Sequence, residues 1–137
     1  MSEKIVLGIS SSPRPNSNTD RAVKAVLKAT GMKTEFIKLS DYTVAPCRYC
    51  YGCVNTNRCV QNDDGIMLAE KVKNADGLVI GAFTPYSSID ARAKALIERL
   101  WPNRHVHGYM RNKLGGVVIT SCVPDIEIPL PVHPVDM

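Results

Sequence analysis

Four stretches of the chain are rich in apolar residues, and three of them are continuous apolar runs rather than alternating ones. The continuous runs begin at Ile5, Gly77 and Gly115, whereas the stretch 34–39 mixes charged and apolar residues. A strand with cover on both faces has a continuous apolar sequence, and a strand at a sheet edge has a more polar one. The pattern therefore predicts four strands, with the second at an edge of the sheet and the third near its centre.

Between these runs the apolar positions recur with the period of an amphipathic helix. One helix is predicted from Thr19 or Asp20 to about Ala29, a second from a cap at 63–64 to about residue 74, and a third from 89 or 90 to about residue 100. Strands that alternate with helices form right-handed crossovers and a parallel sheet. The sequence thus predicts an open doubly wound α/β domain with helices on both faces, in which ligands bind at the carboxyl ends of the strands.

The composition fits one globular domain. The chain has 137 residues, of which 45% are hydrophobic and 22% charged, and we assign residues 1–124 to one domain and 125–137 to a proline-rich tail. An apolar run of about 18 residues, the length that spans a bilayer, is absent, so we expect no membrane association. The net charge of +4 is scattered along the chain, and without a basic stripe that contains aromatic residues we expect no nucleic-acid binding.

Four of the five cysteines lie in a single short segment. Cys47, Cys50, Cys53 and Cys59 have the spacing C-x2-C-x2-C-x5-C. Four thiolates in one short loop can surround a soft cation or an inorganic cluster, because short loops between ligands cost little closure entropy. The chain starts without an apolar leader, so we expect a cytoplasmic protein whose thiols are reduced rather than paired in disulfides.

Three interpretations stay open for these thiols. Closely repeated C-x2-C-x2-C spacing is typical of iron–sulfur clusters, because one turn of backbone supplies three ligands and a nearby cysteine supplies the fourth. A structural zinc site usually combines one C-x2-C pair with a distant second pair, and the sequence has no second pair. The spacing therefore favours a cluster over zinc, and either one over redox-active or unligated thiols.

Hydroxyl side chains follow the first predicted strand and lead into the first helix. Free backbone N–H groups at a helix N-terminus bind phosphate, and hydroxyls and an arginine strengthen such a site. Neither G-x-G-x-x-G nor G-x4-G-K-[ST] is present, so the hypothesis is a single phosphomonoester, with an ordinary capped turn as the alternative. The candidate phosphate residues are Ser10, Ser12, Arg14, Ser17, Asn18 and Thr19.

Two further loops follow the third and fourth strands, and parallel topology places them at the same edge as the first loop. A proline and a tyrosine in the third loop can pack on a flat aromatic ligand, or can simply form a helix-entry turn. The candidate residues of these loops are Thr84, Pro85, Tyr86, Ser87, Ser88, Thr120 and Ser121.

Taken in order, these features resemble one known family. The segments 11–14 and 17–19, the four-cysteine loop and the segment 84–86 are similar to the iron-sulfur flavoprotein branch of the NADPH-dependent FMN reductase superfamily, over nearly the whole chain up to about Pro124. The resemblance implies a flavodoxin-like fold with strand order 2-1-3-4-5, FMN phosphate in the first loop and the flavin ring beside 84–88. It also implies that the four cysteines carry a [4Fe-4S] cluster and that subunits form homodimers or homotetramers.

The segment after the fourth strand differs from that family. Its members usually continue with a helix, a fifth strand and a final helix, whereas this sequence continues into the proline-rich tail. We therefore expect a shortened member with the strand order 2-1-3-4. Its fourth strand would lie at the sheet edge, covered by the tail or by another subunit.

The function that the resemblance implies is electron transfer. A cluster passes one electron at a time and FMN accepts one or two, so we expect a flavin-dependent oxidoreductase that connects a ferredoxin-like donor to a small-molecule acceptor. Two alternatives stay open: an NAD(P)H-dependent FMN or quinone reductase without a cluster, and a non-catalytic flavodoxin-like binding module with a zinc-stabilised loop. The sequence singles out no catalytic residue.

Overall fold

The core of the protein is a four-stranded parallel sheet. The computed structural model describes residues 3–105 and 107–121. The strands lie in the order β2-β1-β3-β4, which confirms the predicted doubly wound fold and its strand order. Their bounds are β1 (Ile5–Ser10), β2 (Lys33–Lys38), β3 (Gly77–Phe83) and β4 (Leu114–Thr120).

Three α-helices connect the strands, and each begins and ends within two residues of its predicted bounds. Local signals set these bounds. The Ser17 hydroxyl accepts from the Asp20 N–H while the Asp20 carboxylate accepts from the Ser17 N–H, which is a capping box. Two short 3-10 turns, Leu39–Asp41 and Trp101–Arg104, precede the cysteine segment and follow the third helix. The helices are α1 (Asn18–Ala29), α2 (Gly65–Asn74) and α3 (Ala91–Arg99).

Apolar side chains form a separate cluster on each face of the sheet. On one face Leu7 of β1 packs with Leu68 of α2 and Leu96 of α3. On the other face Val6 packs with Val23 of α1. Cover on both faces explains why β1 has a continuous apolar sequence.

Helix α1 approaches β3 closely at Gly81. A Cβ atom at this position would lie 2.3 Å from Val23 Cγ2 and 3.0 Å from Thr19 Cγ2. A larger residue would push the helix away from the sheet. Gly81 therefore lets the N-terminus of α1 lie directly at the carboxyl ends of β1 and β3.

Strand β4 is the outer strand of the sheet within the described ranges. Its side chains Leu114 and Val117 are 83% and 71% exposed, although its continuous apolar sequence predicted cover on both faces. The edge position of the fourth strand is as predicted, and its cover by the tail or by another subunit stays a prediction. The predicted tail 125–137 and Cys122 lie outside the described residues. Among the helices that the structure describes, none has the length and apolar character needed to cross a membrane.

Candidate functional site

A cleft of about 720 Å³ opens at the carboxyl ends of β1, β3 and β4. Its volume lies in the range of small-molecule and cofactor sites, about 300–1,000 Å³. The loops after these three strands form its walls, as the parallel topology predicts. Eleven of the predicted cofactor residues line it: Ser12, Arg14, Ser17, Asn18, Thr19, Thr84, Pro85, Tyr86, Ser87, Thr120 and Ser121.

Two predicted residues, Ser10 and Ser88, are not part of the cleft lining. Ser10 is fully buried, and its hydroxyl donates a hydrogen bond of 2.5 Å to Asp20 Oδ1. Its role is therefore to hold the helix cap rather than to face the cleft. Four residues that were not predicted also line the cleft: Pro13, Pro15, Asn16 and Phe83.

Hydrogen bonds join the three loops around the cleft. The hydroxyl oxygens of Thr19 and Thr120 lie 2.7 Å apart. The Thr84 N–H donates to the Thr120 carbonyl oxygen at 3.1 Å. The cleft is thus a continuous surface with the N-terminus of α1 on one wall, and exposed backbone N–H groups at a helix N-terminus attract an anion.

Lys38, at the end of β2, ties down the first loop. Its Nζ donates to the carbonyl oxygens of Ser12 and Arg14 at 2.8 Å each, and to Asp20 Oδ2 at 2.7 Å. Burial raises the pKa of Asp20, but hydrogen bonds from Lys38, Ser10 and Ser17 outweigh it and lower the pKa overall. The loop therefore keeps its shape through a partly buried ion pair that the local sequence did not reveal.

The four predicted cysteines line one small cavity of about 20 Å³. Their thiols are free. Burial raises the pKa of Cys53, and repulsion from Cys59, Cys47 and Cys50 raises it further. The four cysteines therefore line one cavity, and their role as ligands of a cluster stays a prediction.

The donor set of this cavity fits a soft inorganic group, but the enclosed space is small. Four thiols are the usual ligands of an iron–sulfur cluster, whereas the cavity has room for about one water molecule. Among the described residues, no group of three or more His, Cys, Asp or Glu side chains is arranged to hold a single metal ion. A four-iron cluster therefore fits the donor chemistry and requires the loop to widen.

An ion pair at the end of α3 holds both ends of the cysteine segment. Arg99 makes two hydrogen bonds of 2.7 Å to the carboxylate of Asp63. Burial raises the pKa of Asp63, but hydrogen bonds from Arg99 and from the N–H groups of Ala45 and Gly65 outweigh it, so the pKa falls to about 2. Neither residue was among the predicted site residues, because their separation of 36 positions leaves no local signal.

Aromatic side chains surround the cysteine loop. The rings of Tyr49 and Trp101 are stacked at 5.7 Å, and Tyr51 lies 4.8 Å from Tyr49. Both tyrosines have positive φ values, 55° and 57°, a conformation that is uncommon outside glycine. The Asn57 side chain donates to the carbonyl oxygens of Pro102 and His105. The loop is therefore seated on the segment that follows α3.

Helix α3 links the two cavities. At its N-terminus, the Ser11 hydroxyl donates to Asp90 Oδ2 at 2.5 Å. At its other end, the Cys47 N–H donates to Glu98 Oε2 at 3.3 Å. Since α3 has nine residues, these contacts are about 13 Å apart along the helix axis. The cleft and the cysteine cavity share no lining residue.

A family model described as NADPH-dependent FMN reductase matches residues 5–125. The chain belongs to this family. The cleft of this FMN reductase family member lies at the carboxyl ends of the strands, where the flavodoxin-like fold binds its ligands.

Two similar proteins are named as iron-sulfur flavoproteins. "Iron-sulfur flavoprotein MJ1083" of Methanocaldococcus jannaschii is 39% identical over 116 residues, which cover 82% of this chain and 60% of that protein. The iron-sulfur flavoprotein of Methanosarcina thermophila is 33% identical over 82% of this chain and 61% of its own length. The chain thus spans about three fifths of the length of these curated relatives.

Solved structures of flavin enzymes share the fold. RosB with a bound flavin phosphate intermediate superposes with a TM-score of 0.68 at 19% identity, covering 86% of this chain and 52% of that one. An FMN-dependent NADH-azoreductase from Bacillus anthracis in complex with FMN has a TM-score of 0.60 at 14% identity, covering 86% of this chain and 69% of that one. These likenesses show the flavodoxin-like fold.

Proposed function

We propose that this chain is an electron-transfer flavoprotein that holds FMN in the cleft and a [4Fe-4S] cluster at the four cysteines. The observation that carries the proposal is the presence of two separate sites in one chain, a hydroxyl-lined cleft at a helix N-terminus and a cavity lined by four thiols. The names of the two relatives, both iron-sulfur flavoproteins, support it.

The cleft residues fit the two parts of FMN. Ser12 and Thr19 would bind the phosphate beside the N-terminus of α1, and Arg14 would add positive charge. On the opposite wall, Pro85 and Tyr86 offer a flat apolar surface to the flavin ring. Tyr86 is 89% exposed, which leaves its ring free to pack on a ligand.

The two groups together connect one-electron and two-electron chemistry. A cluster passes one electron at a time and FMN accepts one or two. The donor in this proposal is a ferredoxin-like protein, and the acceptor is a small molecule. The protein also forms a homodimer or homotetramer, and the exposed apolar residues Leu114 and Val117 on β4 support this, because an uncovered apolar edge strand promotes association.

A second candidate is an NAD(P)H-dependent FMN or quinone reductase without a cluster. Two observations favour it. The family description names NADPH as the reductant, and the cysteine cavity of about 20 Å³ is too small for a cluster before the loop widens.

Anaerobic purification followed by a visible spectrum and by analysis of FMN, iron and acid-labile sulfide separates these functions. We expect flavin bands with broad cluster absorption, and about four iron and four sulfide per chain, the content of a [4Fe-4S] cluster. Flavin bands without iron would favour the second candidate. A colourless protein that contains zinc would contradict both.

The variant Cys50→Ala tests the ligand assignment. It removes one of four ligands from an exposed loop outside the sheet core, so we expect loss of iron and sulfide with FMN retained. Asn55→Ala, an exposed change in the same loop, is the matched control and should keep both. Wild-type iron and sulfide content in Cys50→Ala would refute the assignment.

A further inference from the structure

Arg99 is buried beside the cysteine cavity. It is 1% exposed, although arginine is seldom buried without a specific partner. Its partner is the carboxylate of Asp63, which accepts hydrogen bonds from Nη1 and Nη2 at 2.7 Å each. Arg99 also lines the cavity together with the four cysteines.

The same guanidinium joins the two ends of the cysteine segment. Nη1 donates to the Ala45 carbonyl oxygen at 2.9 Å, two residues before Cys47. Nη2 donates to the Gln61 carbonyl oxygen at 3.2 Å, two residues after Cys59. The chain between these contacts is therefore closed at its base by one side chain.

One donor of Arg99 is left without an acceptor. Within the described residues, Nε of Arg99 and Nε2 of His105 are the buried side-chain nitrogen or oxygen atoms that make no hydrogen bond, and of these two residues only Arg99 lines the cysteine cavity. Burial lowers the pKa of Arg99, but the pairing with Asp63 and the proximity of Cys59 raise it overall. A buried N–H without an acceptor is costly. Because Arg99 lines this cavity, a group held in the cavity is a candidate for the missing acceptor.

We propose that Arg99 positions the cysteine segment through Nη1 and Nη2, and that its Nε–H donates a hydrogen bond to a sulfur atom of the iron–sulfur group held by the four thiolates. This inference rests on the proposed function. Hydrogen bonds to cluster sulfur stabilise the reduced, more negative form, so they raise the reduction potential. Arg99 would thereby favour electron uptake at this site.

Two variants disturb this contact while the positive charge is kept. Arg99→Lys replaces the planar guanidinium by an ammonium group, which cannot make the same set of hydrogen bonds and has no Nε–H. Gly65→Ala keeps arginine at position 99 but displaces its side chain. The added Cβ atom would lie 2.9 Å from Cζ and Nη2 of Arg99, so the guanidinium must move. Arg92→Met, an exposed change on the same helix, removes a charge far from the contact and is the matched control.

The measurement is an anaerobic redox titration of the purified protein, reconstituted with iron and sulfide, with the cluster signal followed by electron paramagnetic resonance. In Arg99→Lys and Gly65→Ala we expect the ratio of oxidised to reduced cluster at a given potential to rise about tenfold. This corresponds to a reduction potential lower by about 59 mV for one electron. Arg92→Met should keep the wild-type potential.

The outcomes separate this inference from the proposed function. A wild-type protein that takes up no cluster would overturn both. A normal wild-type cluster with unchanged potentials in Arg99→Lys and Gly65→Ala would overturn the inference alone, because Nε would then bond to a water molecule. A shift in Arg92→Met as large as in Arg99→Lys would also overturn it, since the potential would then respond to a substitution far from this contact.

Discussion

The first loop and the cysteine loop are both held by a cation paired with a carboxylate, yet the spaces beside them differ in size. Lys38 and Asp20 hold the first loop against β1 and α1, and the cleft beside it measures about 720 Å³. Arg99 and Asp63 hold only the base of the cysteine loop, whose cavity measures about 20 Å³. The first site is already open in this structure, whereas the proposed cluster would have to widen the second.

The location of each loop explains the difference. Ser11 and Ser12 are 1% and 4% exposed, because they continue directly from a core strand. Tyr49 and Tyr51 are 65% and 55% exposed, because the cysteine loop extends away from the sheet. The first loop is thus anchored in the core, whereas the cysteine loop is held by contacts with the segment that follows α3.

The largest expected effect comes from removing the carboxylate that pairs with Arg99. Asp63→Ala leaves a buried guanidinium without its counter-charge, which should destabilise the protein by about 3 kcal/mol. The measurement is urea unfolding at neutral pH. Glu70→Ala, which removes a half-exposed ion pair with Lys73, should change the free energy of unfolding by less than about 0.5 kcal/mol. Equal effects of the two variants would show that the buried pair does not hold the cysteine loop.

The same pair predicts a pH dependence of stability. The pKa of Asp63 is 3.8 in the unfolded chain and about 2 in the folded one, so its contribution is fully present above pH 4. It is lost as the pH falls toward 2, by roughly 2 kcal/mol in total. In Asp63→Asn this part of the pH dependence of the free energy of unfolding should disappear. The same pH dependence in the variant and the wild type would contradict the assigned pKa.

The next effect concerns the preformed cleft. Ser12→Glu places a carboxylate beside the proposed phosphate, so we expect about a hundredfold loss of FMN affinity. Riboflavin, which lacks the phosphate, should lose less. Ser88→Glu, at a predicted position that does not line the cleft, is the control and should bind FMN normally. Fluorescence titration measures the affinity of each variant for FMN and for riboflavin. An equal loss of FMN affinity in Ser12→Glu and Ser88→Glu would show that the phosphate does not bind beside Ser12.

A smaller effect is expected from the residue that ties down the first loop. Lys38→Met removes three hydrogen bonds from a residue outside the cleft lining, so we expect about a tenfold loss of FMN affinity, or about 1.4 kcal/mol. Lys33→Met, on the same strand but in an exposed ion pair with Glu3, is the control. Unchanged FMN affinity in Lys38→Met would show that the first loop keeps its shape without the hydrogen bonds of Lys38.

Local patterns predicted the elements of the fold and the position of the cleft. The strands, the helices and the cap at Ser17 follow from periodicity and from contacts within a few residues. The same patterns did not distinguish Ser10, which faces Asp20, from Ser12, which faces the cleft, because the direction of each hydroxyl depends on packing. Lys38 and Arg99 were missed for a different reason: their partners lie 18 and 36 positions away. Distant ion pairs become visible only when the folded chain brings them together.

The independence of the two sites is tested most directly by the cofactor content of two single variants. FMN, iron and sulfide would be counted per chain in anaerobically purified Cys50→Ala and Ser12→Glu. We predict a reciprocal result, in which Cys50→Ala loses iron and sulfide but keeps FMN, and Ser12→Glu loses FMN but keeps iron and sulfide. Loss of both groups in either variant, or of neither group in both, would contradict two separate sites in one chain.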